Sequence, residues 1–141
     1  MRSLVFGFLL LALPAAAQKL PVVQLTAGIH LIRAEVAADF ASRAQGLMHR
    51  KGLAQNAGML FIFDAATEHC MWMKNTYIPL SVAFLDAEGT IINIADMQPQ
   101  SEQTHCAARP ALYALEMTRG WFAERGIKAG TKLGGVSKAP R

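Results

Sequence analysis

"LSVAFLDAEGTIINIADM", residues 80–97, sets two β-rich runs on either side of the short turn "AEG". Two such runs joined by a short Gly-containing turn predict a β-hairpin. Outward from it the same signals recur. "GMLFIF" (58–63) is a compact apolar run bounded by Gly and Asp, which reads as a buried strand, and "ALYALEM" (111–117) resumes strand character. "CMWMK" (70–74) reads as a further strand running into the turn-like "NTYIP". Residues 22–25 and 29–36 read as extended, the second with a period-2 alternation that leaves one mainly apolar side. Two short helices are expected. Asp39 can cap residues 40–47, with Phe40, Ala44 and Leu47 on one face, and "RGWFAERGI" (119–127) stops at Gly126, a left-handed C-cap. "QPQSEQTHCAARP" (98–110) is a polar loop, and "AGTKLGG" (129–135) a turn with a last short strand. Many short strands against two short helices predict a mainly β, compact sandwich or barrel-like domain.

The first seventeen residues read differently. Arg2 gives a short positive start, residues 4–13 are uncharged and apolar, Pro14 breaks the run, and small Ala15 and Ala17 precede Gln18. This is the pattern of a cleavable signal peptide, and the run is too short for the roughly 20 residues that span a bilayer. Residues 18–135 then form a single β-rich domain and residues 136–141 a flexible tail; a periplasmic or secreted location without a membrane anchor is expected. Of the chain's 14 basic and 10 acidic side chains only Arg2 lies in the signal segment, so the mature net charge is mildly positive. The basic residues are scattered, with no stripe interleaved with aromatics, which argues against nucleic acid as a partner.

Export bears on Cys70 and Cys106. In an oxidising compartment they are an even pair free to join, and the loop-entropy relation gives such a bridge about 4 kcal/mol. The competing reading uses the two "HC" dipeptides, His69-Cys70 and His105-Cys106, as zinc or copper donors with Met71, Met73 and Met97 nearby. Adjacent residues on a strand point to opposite faces, which works against their convergence.

Enzyme signatures are sparse. There is no G-x-S-x-G, no serine with a local His/Asp arrangement, and Asp86 and Glu116 each have routine structural explanations. No cofactor is implied. In "WMKNT" (72–76), strand alternation places Cys70, Trp72 and Lys74 on one side and Met71, Met73 and Asn75 on the other, with Trp72 and the methionines in the core. Lys74 either reaches solvent or pairs with a buried acid, Glu116 being the candidate. Asn75 before Thr76 suits a turn brace or a ligand contact. Arg43 and Arg50 flank the "GLM" helix end, as an anion clamp or as partners of carbonyls and acids.

"SRAQGLMHRKGLAQNAGMLFIF", "CMWMKNTYIPLSVAFLDAEGTIINI" and "PALYALEMTRGWFAERGIKAGTKL" occur in that order. Together they resemble the bacterial and archaeal domain of unknown function 192, over about residues 29–133. The residues that carry the resemblance are Arg43, Gly46 to Met48 and Arg50; Gly58 to Phe61 and Phe63; Trp72 to Thr76 and Ile78 to Leu80; Asp86 with Gly89; and Leu115, Glu116 and Gly120. Two positions depart. Met71 stands where an aromatic or aliphatic residue is common, and Ser81 replaces a frequent Asp. The resemblance implies a compact β fold of barrel or jelly-roll type, often behind a signal peptide, and no activity.

The resulting expectation is a monomeric envelope domain that binds a small ligand or an envelope protein through Arg43, Arg50, Lys74, Asn75, Thr76 and Glu116. The alternatives are a hydrolase-type enzyme using Lys74, Glu116 and Asn75, and a metal or redox module on the two His-Cys pairs.

Overall fold

The chain runs β1 (Val22–Ala27), β2 (His30–Ala37), α1 (Phe40–Gln45), β3 (Ala57–Thr67), β4 (Cys70–Met71), β5 (Leu80–Leu85), β6 (Ile91–Met97), β7 (His105–Cys106), β8 (Ala111–Thr118) and α2 (Trp121–Glu124). This computed structural model describes residues 19–141. The expected signal segment lies outside the described residues. No described helix is long and apolar enough to cross a membrane.

Six strands form one open sheet in the order β1-β2-β3-β8-β5-β6, and β4 with β7 forms a second, two-stranded sheet. The mainly β expectation holds, without closure into a barrel. All neighbours in the large sheet are antiparallel except β2 and β3. A parallel pair needs a long crossover, and residues 38–56 supply it, carrying α1 across one face. The β5–β6 hairpin forms where the sequence places it. Asp86 explains its turn: one carboxylate oxygen accepts the backbone N–H groups of Glu88 (3.0 Å) and Thr90 (2.9 Å). Gly89 there adopts φ +84°, in the left-handed region that favours glycine.

Both faces of the sheet are covered, which is why its inner strands read as unbroken apolar runs. On β3, Leu60 and Ile62 join one core with Leu25, Ile32, Leu115 and Phe122. Met59, Phe61 and Phe63, the alternate residues, join a second core with Met73, Val82 and Phe84. Close approach between β3 and β8 accounts for Gly58, where a Cβ would collide with the Glu116 carbonyl and the Met117 sulfur.

The C-terminal segment ties the sheet's margins together. Gly134 bridges Thr26 on β1, exchanging both backbone hydrogen bonds with it (3.1 and 2.8 Å), and Lys132 bridges Thr90 beside β6. Val136–Lys138, expected to begin the tail, forms a single 3-10 turn instead, because Val136 is buried in the first core.

The helices differ from expectation in detail. Asp39 caps α1, accepting from Ser42 N–H at 2.7 Å, and this bond together with the Ser42 hydroxyl holds its carboxyl below the usual range. Yet α1 buries none of its own residues, and Phe40 is 82 % exposed. The apolar face of this helix is therefore not a core face until Leu47, beyond its end. α2 is one turn long, and Gly126 follows it at φ +66°, as the C-cap reading requires.

Candidate functional site

The crossover lays α1 and the following "GLM" turn over the second core. Arg43 holds this cover down. Its Nη1 donates to the carbonyls of Ala38 (2.6 Å) and Ile62 (3.0 Å), and its Nη2 pairs with Asp64 at 3.2 Å. Asp64 is available because the β3–β8 ladder jumps from Ile62–Tyr113 to Thr67–Ala111, freeing the intervening residues of β3. Arg50 fixes the other end of the crossover through a two-pronged pair with Glu35, at 2.5 and 2.9 Å. Both guanidinium groups thus end in internal partners. Neither leaves an anion clamp.

Opposite α1 stands the β4–β7 sheet. Cys70 and Cys106 face each other across it and form a disulfide, with their Cα atoms 4.0 Å apart. The bridge consumes both thiols, so the metal reading loses its two thiolate donors. Among the described residues no three His, Cys, Asp or Glu side chains gather as a metal site. His69 stacks on Phe63, with ring centroids 3.7 Å apart.

β4 ends at Met71, and here the structure corrects two expectations. Strand alternation does not continue through residues 72–74, because the chain turns. Met73 is buried as expected, and its N–H donates to the Ser101 carbonyl at 2.9 Å. Trp72, expected in the core, is 43 % exposed. Lys74 does not pair with Glu116; its ammonium lies over the Trp72 ring, 5.3 Å from the centroid. Asn75 makes the turn at φ +53°, and its carbonyl accepts from His49 N–H at 2.9 Å. Thr76 is buried, with its hydroxyl donating to the Lys74 carbonyl at 3.1 Å. Its carbonyl accepts from Gln100 N–H at 2.9 Å. The "KNT" turn therefore fastens the crossover and the 98–101 loop to each other.

Between α1 and β4 lies a recess of about 250 Å³, lined by side chains from both and floored by the sheet. Phe61 and Phe63 from β3, Met48 after α1, and Met71 and Trp72 form apolar walls, with Phe40 also in the lining. Glu116 lines it from β8, between its cross-strand neighbours Met59 and Val82. The residue is only 4 % exposed. Desolvation alone acts on its carboxyl and pushes it up to about 8 from the ordinary 4.5. No nearby charge or hydrogen bond lowers it, yet no described side-chain oxygen is both sealed from the surface and unpartnered. The carboxyl accordingly looks into the recess. Burial thus favours the neutral carboxylic acid over the carboxylate.

Of the six expected binding residues, the structure gathers Arg43, Thr76 and Glu116 around this recess and leaves Arg50, Lys74 and Asn75 outside its lining. A hydrolytic grouping of Lys74, Asn75 and Glu116 is not assembled. Sequence reasoning did not pick out the walls, Phe61, Phe63 and Met48. Alternation within "GMLFIF" was the available signal, since it sets Phe61 and Phe63 apart from Leu60 and Ile62. Ser81, the departure from the family pattern, donates to Asp96 at 2.6 Å and accepts from Gly120 N–H at 3.0 Å. A carboxylate thus stands beside position 81, supplied by the neighbouring strand.

The sequence profile of the domain of unknown function 192, described as "Uncharacterized ACR", matches residues 22–135. The chain belongs to this family. A crystal structure of a "putative transcription regulator" from Sinorhizobium meliloti 1021 is similar at 37 % identity and a TM-score of 0.76, over 82 % of this chain and 92 % of that one. A protein of unknown function from Novosphingobium aromaticivorans DSM 12444 is similar at 35 % identity and a TM-score of 0.75, over 87 % and 90 %. No curated protein matches the chain. The family's hallmark residues divide by role here. Arg43, Arg50 and the "KNT" turn fasten the cover, Gly58 allows β8 to approach, and Glu116 faces the space beneath.

Proposed function

We propose that this member of the domain of unknown function 192 family is a small-ligand-binding domain of the cell envelope, with its ligand in the recess above Glu116. One observation carries the reading: a carboxyl 4 % exposed, without a protein partner, facing an open space walled by aromatic rings. An unpaired buried acid is unfavourable for folding, and binding sites are commonly apolar recesses holding a few such polar groups. A wider groove of about 750 Å³ shares Gln45 and Gly46 with the recess. It is the weaker candidate, because its Arg50 and Glu35 satisfy each other and its Asp39 caps α1.

The envelope location rests on the disulfide, which persists in oxidising compartments, and on the signal-like first seventeen residues. The regulator name of the Sinorhizobium relative does not redirect the reading to nucleic acid, since the basic residues form no stripe. The test is direct. Protein taken from the envelope fraction without denaturation should release a small molecule when unfolded. An Ala44→Trp variant, which sets a bulky indole on the recess lining, should release none. If wild-type protein releases nothing, and no compound from a broad small-molecule set raises its melting temperature, the reading fails.

A further inference from the structure

We propose that the recess takes a small organic cation, an alkylammonium whose charged head pairs with the Glu116 carboxylate while its apolar body lies against the aromatic walls. This rests on the reading of the recess as a ligand site and names what that site selects.

The charge inventory is the first argument. The lining holds two ionisable side chains, Arg43 and Glu116, since Cys70 is tied in the disulfide. Arg43 is already matched by Asp64 and two carbonyls. From β3 and β5, the residues directly across from Glu116 are Met59 and Val82, neither of which titrates. Glu116 is therefore the one ionisable lining group without a counterpart, and burial holds it as the neutral acid in the free protein. A neutral ligand can hydrogen-bond that acid but leaves its ionised form unmatched, and an anionic ligand opposes ionisation. A cation alone matches the carboxylate.

The walls are the second argument. Phe61, Phe63 and Trp72 line it with ring systems, one face of Phe63 being stacked on His69, and Met48 and Met71 line it with polarizable sulfur. Ring faces attract an ammonium, more strongly when water is excluded, which offsets the loss of its hydration. Trp72 already does this for one ammonium, that of Lys74. The volume, about 250 Å³, lies below the roughly 300–1,000 Å³ usual for drug-sized ligands, so the occupant is a short-chain amine.

Binding then moves a proton. Below about pH 8 the free protein holds a carboxylic acid at Glu116. Docking an alkylammonium leaves a carboxylate in the ion pair and sends one proton to solvent, with no covalent change in the ligand. Affinity should rise about tenfold per pH unit between roughly pH 6 and 8, and then level off.

The experiment uses full-length mature protein and three matched series of propyl to hexyl compounds: primary amines, alcohols and carboxylates. Calorimetry at pH 6.5 in two buffers of different ionisation enthalpy reads affinity and proton release together. The expected result is amine binding at least tenfold tighter than alcohol or carboxylate binding, with close to one proton released. Glu116→Gln should lose that preference while keeping the wild-type fold by circular dichroism. Alcohols or carboxylates that bind as tightly as the amines, and are lost in Ala44→Trp, would overturn the cation and leave the recess as a ligand site. Amine binding unchanged in Glu116→Gln would also overturn it. No binding by any series would overturn both.

Discussion

The two faces of the six-stranded sheet are closed in opposite ways. On one face α2 and the C-terminal segment press Trp121, Phe122, Leu133 and Val136 into hydrocarbon. Trp121 Nε1 on that cover donates to Asn56 at 3.0 Å. On the other face, α1 contributes no buried residue, an acid sits on the floor, Phe40 stands largely in solvent and Trp72 is partly exposed. The first cover is held by packing. The second is held by Arg43, Arg50, the disulfide, backbone hydrogen bonds and the single buried side chain of Leu47, with no packing from α1 itself. A lid fastened by its corners leaves room beneath it, and Arg43, Phe61, Phe63, Thr76 and Glu116 of the family's hallmark residues line that room.

This contrast makes predictions of descending size. Phe122→Ala, on the packed face, should destabilise the domain by about 3–5 kcal/mol in chemical denaturation, the usual loss for a buried aromatic. A smaller loss would mean that α2 packs no more tightly than α1. Removing the bridge by Cys70→Ala with Cys106→Ala should cost about 2–4 kcal/mol, chiefly by freeing the unfolded chain. The same change should leave the chemical shifts of the α2 face in place.

Glu116→Gln probes the floor through pH. Below pH 4.5 the carboxyl is protonated in both folded and unfolded chains. From there to about 8 the unfolded chain gives up its proton and the folded chain keeps it, so stability falls as pH rises. The slope is about 1.4 kcal/mol per pH unit, and above the folded value the loss is complete. The Gln variant should lack this slope and be the more stable protein at pH 8.5. Parallel curves for the two proteins would show that the acid is solvated or paired. Smallest of all, Phe40→Ala should change stability by no more than about 0.5 kcal/mol, as befits an exposed side chain. A larger loss would turn α1 into a second packed cover and erase the contrast.

Much of the scaffold was legible because its signals are local. The β5–β6 hairpin announces itself by two apolar runs around Asp86 and Gly89, and the Asp39 cap needs only Ser42 three residues on. The disulfide followed from compartment and an even cysteine count. The site was less legible because it depends on where strands stop. Trp72 points outward since β4 ends after two residues and Asn75 turns left-handed, which period-2 counting cannot foresee. Phe40 has helical spacing with Leu47, but nothing local says that the helix lies at a rim. Glu116 was singled out by motif, yet its assumed partner Lys74 lies in that same turn. What it faces depends on β8 lying between β3 and β5, a fact written in no single segment.

The bridges made by Gly134 and Lys132 have a bearing on the sheet's behaviour toward other chains. β1 has a strand neighbour on one side alone, and a bare strand margin is a template on which foreign strands can grow. Thr26 offers its N–H and C=O to Gly134 instead, and the chain passing from there to Lys132 crosses toward Thr90 beside β6. The last strand-like residues of the domain thus act as a selvage at the Thr26 end of β1, where a foreign strand would find the hydrogen bonds already taken.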